Sequence, residues 1–140
     1  MCSAPESAPY QLITRGNLPE DHVHRPPTVE GDAWRPAVAR AYESAYIAAG
    51  ESEPDFTNLA QTGGQKEPFV GTLDYIFLSR GDWRASSVRS LPHRDAVLPD
   101  TSSYPTADEP SDHVAIWADI ELIPSQARST GDGSAAAGAA

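Results

Sequence analysis

The run Gly71-Thr72-Leu73-Asp74-Tyr75-Ile76-Phe77 sets a carboxylate inside an apolar stretch of the chain. An acid surrounded by Leu, Ile and Phe is either protonated or costly by several kcal/mol unless a partner stabilises its charge. A fold that buries this stretch must therefore bring a donor to Asp74. Downstream, Pro110-Ser111-Asp112-His113 precedes a second apolar run, and an imidazole at a strand edge is the natural partner. By donating Nδ1–H to Asp74, His113 would fix its own tautomer and leave the other ring nitrogen for a phosphoryl oxygen. Asp112 is its neighbour, and strand neighbours face opposite ways, so Asp112 suits a metal or water contact instead. Spacing alone favours a plainer outcome, in which Asp74 caps a turn and His113 is a solvated loop residue.

Hydrophobic periodicity predicts the frame around these residues. Residues 71–79 read as one strand, with Leu73, Tyr75 and Phe77 on one face and Asp74, Ile76 and Leu78 on the other. Apolar side chains on both faces point to burial on both sides. Gly81-Asp82 is a turn signal, so residues 83–91 read as the returning strand of a hairpin. The last strand is predicted over residues 114–123, and Phe56-Thr57-Asn58 as a short extended piece. Ser3-Ala4-Pro5-Glu6 has the form of a capping box, which predicts a helix from Ala4 to Arg15 closed by Gly16. Pro36 opens a second predicted helix that ends at Gly50, with Val38, Ala41, Tyr42 and Ala45 on one face. Residues 17–36 and 92–110 are proline-rich loops, and residues 125–140, mostly Ser, Gly and Ala, are predicted to be a disordered tail. The class is α/β, with residues 1–124 as one partial domain.

A net charge of −10 argues against a broad basic face that grips a nucleic-acid backbone. It leaves open a nuclease whose phosphate contacts run through bound metal ions. The single cysteine, Cys2, excludes an internal disulfide framework and suits a reducing, intracellular setting, the cytoplasm first. No apolar run approaches the ~18 residues of a membrane span, and no secretory signal is visible. Asp21-His22 and His24, with Asp32 or His93, do not make a zinc site, because they lie in a proline-rich loop without the structure that holds about four ligands. Ser111-Asp112-His113 is not a hydrolase triad, since adjacent strand residues cannot converge.

The ordered set Glu53-Pro54-Asp55-Phe56-Thr57-Asn58, Phe69, Gly71 to Phe77 and Pro110 to Ala118 resembles the C-terminal part of the endonuclease/exonuclease/phosphatase family. Within it, the resemblance is to the branch of the carbon-catabolite-repressor deadenylases, nocturnin, the angel proteins and the 2'-phosphodiesterase. Ser44-Ala45-Tyr46, Leu91-Pro92 and the Ser-x-Pro-x-Ser pattern from Ser3 to Ser7 support it, so the match runs from Ser3 to Leu122. The resemblance implies a two-sheet α/β sandwich of the DNase I-like kind. It also implies a Mg²⁺-dependent phosphodiesterase acting on an RNA 3' end or on oligoadenylate.

Carried over residue by residue, His113 would contact the scissile phosphate, Asp74 would orient it, and Asp112 would lie at the metal centre as a candidate ligand. Phe69 matches an aromatic that stacks on a nucleobase, worth ~1–3 kcal/mol, although an aromatic before a strand often packs in the core instead. Asn58 is expected to hold the loop near the substrate. The family's upstream Asn, metal-binding Glu, His and Asp-x-Asn find no counterpart in this chain, and Cys2 stands where the asparagine is expected. The chain is therefore expected to be inactive alone and poorly folded, and the alternative is a non-catalytic fragment that acts as a binding module.

Overall fold

A computed structural model of the chain describes residues 4–99 and 103–124. Cys2, Ser3 and the predicted tail at residues 125–140 lie outside the described residues. Helix α1 spans Ala8–Arg15, four residues shorter at its start than predicted. Ser7 sits extended at its N-cap, where its Oγ accepts the Tyr10 N–H at 3.4 Å, and Pro9 in the first turn has no N–H to lose. Gly16, at φ 87°, closes the helix as predicted by donating its N–H to the Leu12 carbonyl.

The predicted helix from Pro36 to Gly50 shrinks to α2, Ala45–Ala48, because the residues before it are taken by strand β1, Tyr42–Ser44. The predicted strand over 71–79 breaks into β3, Phe69–Gly71, and β4, Phe77–Ser79. Each half has a different partner: β3 pairs antiparallel with β2, Asn58–Ala60, while β4 pairs antiparallel with β1. The predicted hairpin is also replaced. Strand β5, Trp83–Val88, pairs with β6, Ala118–Leu122, while its link to the residue after β4 is the isolated Arg80–Trp83 bridge. A short helix α3, Arg94–Val97, stands in the predicted 92–110 loop. The described residues form a small α/β domain of short helices and three two-stranded antiparallel sheets.

Among the described residues, two small clusters make the core. Phe56, Leu59, Tyr104 and Val114 form one, with Val70, Leu91 and Val97 against it. Ala45, Leu78 and Ala85 form the other, flanked by Ile76, Val88 and Ala118. The predicted last strand buries Val114 but leaves Ile120 and Leu122 at 45% and 57% exposure. No helix among the described residues is long and apolar enough to cross a membrane.

Asp55 ties α3 to the first cluster. Its carboxylate accepts the Arg94 N–H at 2.8 Å and the Arg94 Nε–H at 2.9 Å. Burial pushes the Asp55 carboxyl up, but the Arg94 amide and guanidinium together outweigh it and hold the group below the usual carboxylate range. A depressed folded-state value stabilises the fold in full above the unfolded value of about 3.9, and that contribution is lost as pH falls through the folded value. Asp55→Asn is therefore expected to lower stability at neutral pH and to flatten its decline below pH about 4, read from urea midpoints across pH. An unchanged pH slope would contradict the assignment. Phe56, fully buried, is expected to cost about 3–5 kcal/mol on truncation to Ala. A loss under about 1 kcal/mol by urea denaturation would show that it does not centre the cluster.

Candidate active site

Residues 57–59 run between the two other motif segments and pair with both. On one side Thr57 donates its N–H to the Gly71 carbonyl at 3.0 Å, and Asn58 stands opposite Gly71. On the other side Val114 N–H donates to the Thr57 carbonyl at 2.8 Å and Leu59 N–H to the Asp112 carbonyl at 3.0 Å. These two bonds flank the antiparallel Asn58–His113 pair. Asn58 and His113 thus form the non-hydrogen-bonded kind of pair, whose Cα atoms approach to about 4.5 Å and whose side chains sit close. Strand alternation sends Leu59 and Val70 into the core and Asn58, Phe69 and His113 to the opposite face.

On that face the two residues singled out by sequence meet. His113 Nδ1 lies 2.8 Å from Asp74 Oδ2, across 39 residues of chain. The pair is not buried as the strand prediction required. Asp74 and His113 side chains are 36% and 45% exposed, because residues 72–76 leave the ladder and carry Asp74 off the Ile76 and Leu78 face. The backbone on each side is held. Thr57 Oγ1 accepts the N–H groups of Leu73 and Asp74 at 2.9 and 3.0 Å, and the His113 N–H donates to Ser111 Oγ at 3.0 Å. Thr72 Oγ1 donates to the Pro54 carbonyl at 2.6 Å, closing the segment onto the start of the same block.

Asn58, only 4% exposed, points its amide at Asp112, donating to the backbone carbonyl at 3.2 Å and to Oδ2 at 3.3 Å. It holds the Ser-Asp-His turn in register and fixes one carboxylate oxygen of Asp112. Phe69 is half-buried outside both core clusters, and its ring lies over Gly71: a Cβ there would stand 2.8 Å from the ring tip. Glycine at 71 is thus the space that lets the ring lie along the face that carries Asn58 and His113. Among the described residues no group of three or more His, Cys, Asp or Glu could hold a metal ion, so Asp112 is a single carboxylate donor and not a cage.

Two polar residues of the motif were not singled out by sequence. Thr57 is fully buried, and its hydroxyl serves the Asp74 segment. Glu53 accepts the Tyr10 hydroxyl at 2.5 Å and the Ser44 hydroxyl at 3.1 Å, tying α1 and the β1–α2 junction to the block. Burial, and then the Glu53 carboxylate beside it, push the Tyr10 hydroxyl far above its ordinary value. The signal for both was their place inside Glu53–Asn58, a block with more polar residues than a core strand of its length needs.

No family model matches the chain. Individual proteins do. Human 2',5'-phosphodiesterase 12 is 28% identical over 119 residues, which cover 85% of this chain and 18% of that protein. The CCR4-Not complex 3'-5'-exoribonuclease subunit Ccr4 of Aspergillus terreus is 30% identical over 122 residues, 86% of this chain and 17% of the relative. The Aspergillus fumigatus Ccr4 subunit is 31% identical over 122 residues, 86% and 16% of the two chains. The chain thus spans under a fifth of the length of these relatives, in their C-terminal part. The motif order, the meeting of its segments on one face and these similarities lead to one conclusion: the chain is a homologue of the C-terminal part of the 2',5'-phosphodiesterase and Ccr4 members of the endonuclease/exonuclease/phosphatase family.

Proposed function

We propose that the face carrying Asp74, His113 and Phe69 is the phosphate- and base-contacting part of a Mg²⁺-dependent phosphodiesterase acting on an RNA 3' end or on oligoadenylate. The observation that carries this reading is the 2.8 Å Asp74–His113 contact, formed by residues 39 apart on a half-exposed face. With Nδ1 engaged by Asp74, His113 has Nε2 left to contact a phosphoryl oxygen. The Phe69 ring, laid over Gly71, offers a stacking surface that tolerates any base. The names of the similar proteins, a 2',5'-phosphodiesterase and a 3'-5' exoribonuclease, agree with this chemistry.

When bound, magnesium supplies charge neutralisation at the phosphate and an activated water. Asp112 is the described residue suited to hold it, through the carboxylate that Asn58 already orients. Such an ion takes one or two protein carboxylates besides water and substrate oxygens, and its remaining protein ligands would have to come from outside the described residues. The 140-residue chain is accordingly proposed not to hydrolyse RNA alone. The same reading takes residues 1–124 as the C-terminal portion of a two-sheet sandwich, residues 125–140 as an appended tail, and the cytoplasm as the compartment. A non-catalytic binding fragment is the second reading, favoured by the absence of a ligand cluster among the described residues.

Grafting tests both readings. The matched segment of human 2',5'-phosphodiesterase 12 is replaced by this chain's residues, and oligoadenylate hydrolysis is followed with magnesium. We expect cleavage, with His113→Ala lowering kcat by about 10²–10⁴ and Phe69→Ala weakening oligonucleotide binding by about 1–3 kcal/mol. A folded chimera that is inactive, or active and indifferent to His113→Ala, would favour the binding fragment.

A further inference from the structure

We infer that Thr57 is the positioning residue of the Asp74–His113 pair. Thr57 has no exposed surface, and every polar group it offers faces one of the two segments that carry the pair. Its carbonyl accepts the Val114 N–H at 2.8 Å, next in the chain to His113. Its N–H donates to the Gly71 carbonyl at 3.0 Å, where β3 ends. Its hydroxyl then accepts the Leu73 and Asp74 N–H groups at 2.9 and 3.0 Å, just where the ladder has stopped.

Those last two bonds decide where Asp74 stands. Backbone N–H groups away from water need acceptors, and beyond Gly71 the β2–β3 ladder supplies none. The Thr57 oxygen has two lone pairs and fills both needs from one atom. With the Asp74 amide pinned to Thr57 and the His113 backbone pinned through Val114 to the same residue, the distance between carboxylate and imidazole is set within a short covalent path. Valine has nearly the same shape and would keep the packing and both backbone pairings, yet it has no acceptor. The Leu73–Asp74 peptide would then turn toward water for its bonds and carry the carboxylate away from Nδ1. Serine would keep the acceptor.

This inference rests on the proposed function only for what the pair is for, and its test reads the imidazole directly. The full 140-residue chain, labelled with ¹⁵N, is compared with Thr57→Val, Thr57→Ser and Asp74→Asn, and the His113 signals are assigned by their loss in His113→Gln. The chain and Thr57→Ser are expected to show the Nδ1–H tautomer at His113, and Thr57→Val to lose it as Asp74→Asn does. Amide exchange in the unsubstituted chain is expected to slow Leu73 and Asp74 at least about a hundredfold, alongside Thr57 and Val114. A folded Thr57→Val that keeps the tautomer overturns the inference. So do free exchange rates at Leu73 and Asp74 while Thr57 and Val114 are protected, a result that needs no variant to fold. Loss of RNA hydrolysis in the chimera with the tautomer intact would count against the proposed function and leave Thr57 in its role.

Discussion

Pairing of residues 57–59 on both sides is the constraint on which the rest of the site depends. One edge of this short segment takes Gly71, the other takes Asp112 and Val114, and the buried side chains of Phe56 and Leu59 anchor it in the core cluster they share with Tyr104 and Val114. Three blocks far apart in the chain thereby become neighbours with a fixed register. A slip of one residue on either side would turn His113 or Phe69 into the core and bring an apolar neighbour out. Packing of Leu59 and Val114, both nearly without exposed surface, opposes such a slip. Core and site are therefore two faces of one arrangement.

Energetics separate structural from functional roles among these contacts. A half-exposed hydrogen bond competes with water and adds little to stability, so the fold has little need of the Asp74–His113 contact. Asp55–Arg94 is different, since it holds α3 through a backbone and a side-chain bond and keeps its charge through them. The aromatic group of Tyr10, Tyr75 and Phe77, with Tyr10 bonded to Glu53, fastens helix α1 to the other end of the same segment. These contacts hold the surrounding fold together, whereas Thr57 bonds the Asp74 amide and the Val114 amide beside His113.

The sequence made the site more legible than the fold. A carboxylate among apolar residues calls for a donor, and His113 is the donor that Asp74 meets. The donor is right, and the premise is not, because residues 72–76 leave the strand and Asp74 keeps much of its water. Periodicity could not reveal that break, since apolar residues continue on both faces from Leu73 to Leu78 while the Leu73 and Asp74 amides turn to the Thr57 hydroxyl. Gly81-Asp82 suggested a hairpin from local turn chemistry, whereas the register of β5 is decided by distant β6. Gly16 was legible because a left-handed cap is a local requirement that glycine meets. Phe69, singled out by the resemblance alone, lies within β3, and its place over Gly71 follows from a glycine whose role only the pairing reveals.

The most direct test of the central claim is a magnetic-resonance titration of the four histidines with a short oligoadenylate and magnesium. If the Asp74–His113 face contacts phosphate and base, His113 and Phe69 signals will shift together and saturate, while His22, His24 and His93 stay unmoved. Shifts confined to those other histidines, or none at His113, would contradict the account.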